Sequence, residues 1–255
     1  MRKYNRPLIS VIMPAYNAGN TIEAAIQSVL SQTYDCWELI IINDASTDCT
    51  DALACKYEKL DSRIGVLTNP INCGVSYSRK RGVGSASGSW IAFLDSDDLW
   101  AADKLEKQIE LLRNNEADLF FTGSSFIKED GTPYAWIMRI PNQITYRQLL
   151  KQNVISNSSV LIRKDLLQKH MVEGDCLHED YACWLCCLRE GAKVKGINEP
   201  LLIYRVSAAS KLGNKIKSAK MNWNTYRSVG LSVFESVYYM IRYCIRGIKK
   251  YQNLK

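Results

Sequence analysis

Two short acidic runs, D-S-D-D from Asp95 to Asp98 and H-E-D from His178 to Asp180, have the residue types and spacing to work on a phosphorylated substrate. The first follows the apolar stretch Trp90 to Leu94 and so reads as the end of a strand, where side chains alternate and Asp95 and Asp97 point to one side. Carboxylates in that position repel a diphosphate unless a divalent hard cation, Mn²⁺ or Mg²⁺, is held by their oxygens and shared with the phosphates. The alternative, for the run taken alone, is a loop of helix-capping aspartates before the helical pattern Leu99 to Leu112. In the second run, Asp180 opens the helical pattern Tyr181 to Glu190, where the positive end of the helix dipole favours an anion. It is therefore either a helix-terminal charge or a carboxylate placed to take a proton.

The elements that must position these runs follow from hydrophobic patterning. Over the first hundred residues, short runs rich in Ile, Val and Leu (Leu8 to Met13, Trp37 to Ile42, Ile64 to Thr68, Trp90 to Leu94) alternate with helical stretches (Thr21 to Ser31, Thr50 to Leu60, Ser76 to Ser85, Ala102 to Asn114). Continuous apolar runs without alternation are those of strands buried on both faces, so the pattern predicts a doubly wound, mostly parallel α/β sheet with helices on both faces. Ligands of such sheets bind beyond the carboxyl ends of the strands. There stand P-A-Y-N (Pro14 to Asn17), N-D-A-S-T-D (Asn43 to Asp48) and D-S-D-D. A Rossmann turn or a P-loop would need glycines after the first strand, and P-A-Y-N has none.

The second half reads as a mixed sheet joined to the first. A strand is predicted at Leu119 to Thr122, with a hairpin from Ser125 to Arg139 about Asp130-Gly131. Helices Thr145 to Gln152 and Arg163 to His170 flank a strand at Ser158 to Ile162. A helix from Tyr181 to Glu190, stopped by Gly191, precedes strands near Val194 and at Leu202 to Tyr204.

Five motifs in order, P-A-Y-N, I-N-D-A-S-T-D, N-x-G-V-S-x-S-R at Asn72 to Arg79, F-L-D-S-D-D-L-W at Phe93 to Trp100, and H-E-D, resemble inverting glycosyltransferase family 2, of GT-A fold, across residues 8–205. The resemblance implies that Ala15 and Tyr16 lie against a uridine and that Asp44 accepts a hydrogen bond from the uracil ring. It implies that Arg79 approaches the base or diphosphate, and it carries no role to Lys80, where the family often has Asn. Asp95 and Asp97 would form the D-x-D, with Asp97 and Asp98 the candidates for metal and ribose contact, because D-S-D-D allows two registers. In an inverting transfer the acceptor hydroxyl attacks opposite the leaving nucleoside diphosphate, so a separate carboxylate must take its proton; beside the other motifs, Asp180 is the expected general base.

Composition fits a folded globular chain: of 255 residues, 47% are hydrophobic and 23% charged. The net charge of +7 is unevenly placed, since residues 211–255 hold ten basic and one acidic residue, a net of +9, and the first 210 carry −2. The basicity therefore implies no nucleic-acid partner for the body. The first fourteen residues hold only a six-residue, mostly apolar run before Pro14, too short for a signal-peptide core, so the nine cysteines are expected as free thiols in a reducing cytosol. Cys176, His178, Cys183, Cys186 and Cys187 invite a zinc reading, but no second C-x-x-C pair completes a ligand set and the last three share a helical pattern, so buried helix-face cysteine is the preferred reading.

The sequence thus divides into a nucleotide half (about 1–115), an acceptor half (about 116–210) and a basic tail (211–255). In the tail, Val229, Val233, Val237, Ile241, Cys244 and Ile248 recur on one helical face, and Glu235, Arg242 and Arg246 interrupt the apolar run, so it does not read as a membrane-spanning helix. Such an amphipathic helix either lies in the interface of an anionic bilayer or packs on the body. Together with a membrane-lying tail, the resemblance implies a metal-dependent UDP-sugar hexosyltransferase, peripheral to the cytoplasmic face of the membrane. The expected donor is a UDP-hexose, specifically glucose transferred in β linkage. The expected acceptor is a lipid-linked sugar such as GlcNAc-diphosphoundecaprenol, in O-antigen or other surface polysaccharide synthesis. A sugar-nucleotide nucleotidyltransferase would need a Gly-rich, Arg-bearing loop where P-A-Y-N stands, and a non-catalytic nucleotide or glycan binding protein would not need both acidic runs.

Overall fold

A computed structural model of the chain describes residues 6–114, 117–174, 176–206 and 215–251. The first four apolar runs become β1 (Ile9–Ala15), β2 (Trp37–Asn43), β3 (Ile64–Thr68) and β4 (Trp90–Phe93), separated by α1 (Ile22–Leu30), α2 (Thr50–Leu60) and α3 (Val75–Ser85). After them come β5 (Leu99–Trp100), α4 (Lys104–Asn114), β6 (Leu119–Lys128), β7 (Pro133–Met138), α5 (Tyr146–Lys151), β8 (Leu161–Arg163), α6 (Lys164–His170), α7 (Glu179–Arg189), β9 (Val194–Val206), α8 (Lys215–Ser228) and α9 (Val233–Tyr251).

Among the described residues, nine strands form one sheet in the order β3-β2-β1-β4-β8-β6-β9-β5, with β7 added to β6. It is parallel from β3 to β4 and mixed beyond, because β8 runs antiparallel to both β4 and β6 while β6 and β9 pair in parallel. All seven residues of β1 are buried, for a visible reason. Its odd-numbered side chains Ile9, Val11 and Met13 join Leu39 and Ile41 in a core beneath α1, α2 and α4. Ile12, Ile40 and Ile42 face the opposite core, which holds Val83 of α3, Leu149 of α5, Leu167 of α6 and Trp184 of α7. Helices on both faces are what allow an apolar strand without polar alternation.

Three elements differ from the pattern reading. The stretch expected as a strand from Ser158 to Ile162 begins as a 3-10 turn, Asn157–Ser159, and β8 starts only at Leu161. Leu99 and Trp100 form β5 against Ile203 and Leu202 instead of starting a helix. The two strands expected near Val194 and Leu202 are one continuous β9, whose register against β6 shifts where Pro200 faces Gly123. Pro200 lacks a ladder donor, so it is tolerated at that irregularity, and a Cβ on Gly123 would meet the Glu199 carbonyl oxygen at 2.8 Å.

The tail is two helices, which corrects the single stripe from Val229. Helix α8 ends at Ser228, and Gly230 turns the chain with φ +85°. Helix α9 then starts anew, with Ser232 and Glu235 hydrogen-bonded reciprocally as a capping box. Val229 is buried in this break. Tyr226 donates from its hydroxyl to the Leu150 carbonyl at 2.7 Å, and Tyr239, Met240 and Tyr243 of α9 pack on the same core. The opposite face of α9 points away, exposing Phe234, Val237, Tyr238, Ile241 and Ile245, with Phe234 88% exposed. The expected boundary at 210 and the charges of Lys211 and Lys255 lie outside the described residues, as do the side chains of Ile248, Lys249 and Lys250.

Candidate functional site

The carboxyl ends of β1, β2 and β4 open on a cleft of about 350 Å³ whose lining includes Ala15, Tyr16, Asp44, Arg79, Asp95 and Asp97. These are all six residues expected to bind the donor. Tyr16 stands at the rim, 51% exposed, with its ring free to take a flat partner. The loops after β1 and β2 lock together: Asn17 accepts from the Thr47 amide at 2.8 Å, Asp48 from the Gly19 amide at 2.9 Å, and Thr50 Oγ1 from the Ala18 amide at 2.8 Å. Asn17 (φ +48°) and Ala45 (φ +56°) are held in the left-handed region. A non-glycine residue there costs on the order of 1–3 kcal/mol, and such strain concentrates at binding sites. Buried Asp44, next to Ala45, accepts from Asn69 Nδ2 at 2.6 Å and from the amides of Cys73 at 2.9 Å and Gly74 at 2.8 Å. It thereby fixes the entry to α3, which carries Arg79.

The D-S-D-D run is a turn closed by the Asp98 amide on the Asp95 carbonyl at 3.0 Å. The turn separates its carboxylates. Asp95 and Asp97 line the cleft, whereas Asp98 is only 2% exposed and accepts from the Arg205 amide at 3.0 Å. Arg205 also donates from Nε to the Asp97 carbonyl at 2.9 Å and from Nη1 to the Glu129 carbonyl at 3.0 Å, which ties the turn to the end of β9 and to the β6–β7 hairpin. Asp97 itself is exposed at the cleft, and partial desolvation by its surroundings, followed by the Asp95 charge, raises its carboxyl above the ordinary range. Burial and both neighbouring carboxylates raise Asp98 well above it. This unbalanced negative charge, presented by oxygen donors, fits a hard divalent cation such as Mn²⁺ or Mg²⁺. No group of three His, Cys, Asp or Glu converges among the described residues, so one or two carboxylates here would leave the other coordination positions to water and phosphate oxygens.

Arg79 joins this cleft to the H-E-D segment. It is 9% exposed and pairs with Asp95 at 2.6 Å and with Glu179. Of the described residues it alone lines both the cleft and a small cavity of about 20 Å³ behind it, where Glu179, Asp180 and Trp184 lie. Asp180 Oδ1 accepts from the Tyr181 amide at 2.7 Å at the start of α7. Burial raises its carboxyl above the ordinary aspartate range, with Arg79 pulling it back. The loop before it is held by α8, where Thr225 Oγ1 accepts from the His178 amide at 3.0 Å and Asn224 donates to the Cys176 carbonyl at 2.7 Å. Cys183 and Cys187 are buried along α7 as helix-face residues.

Sequence reasoning passed over the Glu179–Arg79 pair, Ser158 and Arg205. Glu179 had a signal, its place beside Asp180. Ser158 and Arg205 had none, because only the fold brings them to D-S-D-D.

With this geometry in place, comparison with known proteins is decisive. The family profile described as Glycosyl transferase family 2 matches residues 10–171. The chain belongs to glycosyl transferase family 2. It is 37% identical over 246 residues to TuaG of Bacillus subtilis, named for teichuronic acid biosynthesis, covering 96% of this chain and 98% of that one. It is 36% identical over 247 residues, 96% and 95% of the two chains, to the Escherichia coli UDP-Glc:alpha-D-GlcNAc-diphosphoundecaprenol beta-1,3-glucosyltransferase WfgD. Among solved structures, S. aureus TarS in complex with UDP-GlcNAc shares the fold at a TM-score of 0.73 and 17% identity, over 91% of this chain and 70% of that one. The mannosyltransferase PcManGT from Pyrobaculum calidifontis, in complex with GDP-Man and Mn2+, does so at 0.72 and 15%, over 93% and 70%. The GT-A architecture expected from the motifs is the fold of this family 2 chain, and membership makes it a glycosyltransferase. The nucleotidyltransferase and binding-protein alternatives fall away.

Proposed function

We propose that this glycosyltransferase moves a hexose, glucose in β linkage, with inversion, from a UDP-sugar to a lipid-linked sugar of the GlcNAc-diphosphoundecaprenol type, in surface polysaccharide synthesis. The observation that carries the reading is the meeting, across Arg79, of a cleft lined by Tyr16, Asp44, Asp95 and Asp97 with the carboxylate of Asp180. The choice of sugar and acceptor is supported by what WfgD is named for. In this reading the nucleotide half, about 1–115, holds the donor and the acceptor half, about 116–210, presents Asp180. Ala15 and Tyr16 flank the uridine, Asp44 faces the uracil, and Arg79 balances charge beside the diphosphate. Asp97 is the direct ligand of Mn²⁺ or Mg²⁺, because Asp98 is turned inward to Arg205. Such a cation, when bound, neutralises charge developing on the leaving diphosphate. Asp180 accepts the proton of the attacking hydroxyl.

The test is UDP release from a panel of UDP-sugars with and without acceptor lipid. Release with UDP-glucose that requires the lipid-linked GlcNAc acceptor is expected, and release with another sugar alone would overturn the donor assignment.

The protein works at the cytoplasmic face of the membrane as a peripheral enzyme, held by α9 and by the basic residues of 211–255. No helix among the described residues is long and apolar enough to cross a membrane. The outward face of α9 instead offers Phe234, Ile241 and Ile245 beside Arg242 and Arg246. Burying one such apolar side chain contributes about 1.5–3 kcal/mol, and each basic residue near an anionic surface about 1 kcal/mol. Joint Phe234→Ser and Ile241→Ser substitution is therefore expected to weaken binding to anionic liposomes at least about tenfold with the thermal transition retained, and raised salt to loosen the parent protein. Unchanged sedimentation with liposomes would sink the anchor. Truncation at residue 222 is a poorer test, since it would remove buried Thr225, Tyr226 and Val229.

A further inference from the structure

We infer that Asn157 and Ser158, which open the 3-10 turn Asn157–Ser159, are positioning residues of the donor site, and that Ser158 sets the geometry of the D-S-D-D turn through its hydroxyl. The inference rests on the functional reading above, because it concerns how the chain presents Asp95 and Asp97 to a cation and a diphosphate.

Ser158 is almost fully buried, and its hydroxyl and carbonyl are directed at the acidic turn and its immediate continuation. The hydroxyl oxygen accepts from the Asp95 amide at 3.1 Å, and the hydroxyl lies near enough to the Asp98 carboxylate to favour its charged form. Its carbonyl accepts from Trp100 Nε1 at 2.7 Å. This oxygen thus holds the first residue of D-S-D-D from the side away from the cleft, while the Arg205 amide holds the last from β9. A hydroxyl suits this place because its oxygen accepts from the amide while its hydrogen stays available to the neighbouring carboxylate.

The neighbouring residue extends the support to the cation of the site. With its amide oxygen turned to Arg79, the orientation that satisfies the hydrogen-bond network, Asn157 accepts from Nε and Nη2 at 3.2 Å each. The turn itself is fixed from behind, since the Ser159 carbonyl accepts from Gln108 Nε2 at 3.1 Å and the Ser159 hydroxyl donates to the Ser156 carbonyl at 2.7 Å. Three consecutive residues therefore separate two tasks. Asn157 and Ser158 face the charged groups of the site, and Ser159 closes the turn.

That separation supplies the control. Ser158→Ala removes the hydroxyl that faces the acidic turn, and Ser159→Ala removes one that serves only the turn. Thermal unfolding and calorimetric titration of UDP in the presence and absence of Mn²⁺, without any turnover, are read for both and for the parent. Ser158→Ala is expected to weaken Mn²⁺-dependent UDP binding roughly tenfold or more, as loss of a hydrogen bond that orients a metal ligand does. Its thermal transition should fall no further than that of Ser159→Ala, which should bind UDP nearly as the parent does. If Ser158→Ala does not fold, Ser158→Cys, of similar volume but a poor hydrogen-bonding partner, is read in its place. Parent-like binding by the Ser158 variant, or an equal loss in Ser159→Ala, would overturn the inference alone. A parent protein that bound no UDP with Mn²⁺ would overturn the functional reading and the inference with it.

Discussion

Asp180→Asn is expected to lower sugar transfer by roughly 10²- to 10⁴-fold while leaving UDP binding nearly intact, since the amide keeps the shape of the carboxylate and cannot accept a proton. The separation of the two effects follows from the site: Asp180 lines the small cavity behind Arg79 and not the donor cleft. The pH dependence provides a second reading of the same group. Burial raises the Asp180 carboxyl, and a general base works deprotonated, so activity should be present above this raised value and be lost as pH falls through it. The acid limb of kcat should accordingly lie at higher pH than an unperturbed aspartate would give, and Asp180→Asn should abolish that limb. Calorimetry showing UDP affinity lost along with activity, or a variant that stayed active, would make Asp180 a helix-terminal charge only.

Asp97→Ala is expected to abolish metal-dependent transfer with little change in thermal stability, because its side chain borders the cleft and its structural bond is made by the backbone carbonyl to Arg205. Asp98→Ala should differ. Its carboxyl is buried against the Arg205 amide, so its loss leaves that amide without a partner, a penalty of about 1–3 kcal/mol, and should lower the melting temperature as well as activity. Differential scanning calorimetry beside a transfer assay separates the two variants. Excess chelator should silence the parent enzyme, and full activity in chelator would remove the metal role from Asp97.

The first half of the chain was readable because its logic is local. In β1 and β2 the apolar runs carry no alternation, both faces are covered, and the polar residues that follow each run fall at the carboxyl edge as the topology requires. Ala15, Tyr16, Asp44, Arg79, Asp95 and Asp97 were therefore legible from their place after a strand or in a motif, and they line one cleft. The second half was less readable. Pro200 broke the pattern of β9 into two apparent strands, and Gly230 divided a tail that periodicity joined into one stripe.

By itself the sequence determined the alternating α/β order, the acidic runs, the family motifs and the concentration of positive charge in the tail, all of which depend on neighbours close along the chain. Only the tertiary structure decided which carboxylate of D-S-D-D turns inward, because that depends on Ser158 and Arg205, some 60 and 107 residues further along from Asp98. It also decided that Arg79 ties Asp95 to Glu179, and that α9 buries Tyr239 and Tyr243 while presenting Phe234 and Ile241 outward. A hydrophobic period marks a helical face without saying which face meets the body, since the core and a bilayer reward the same apolar side chains.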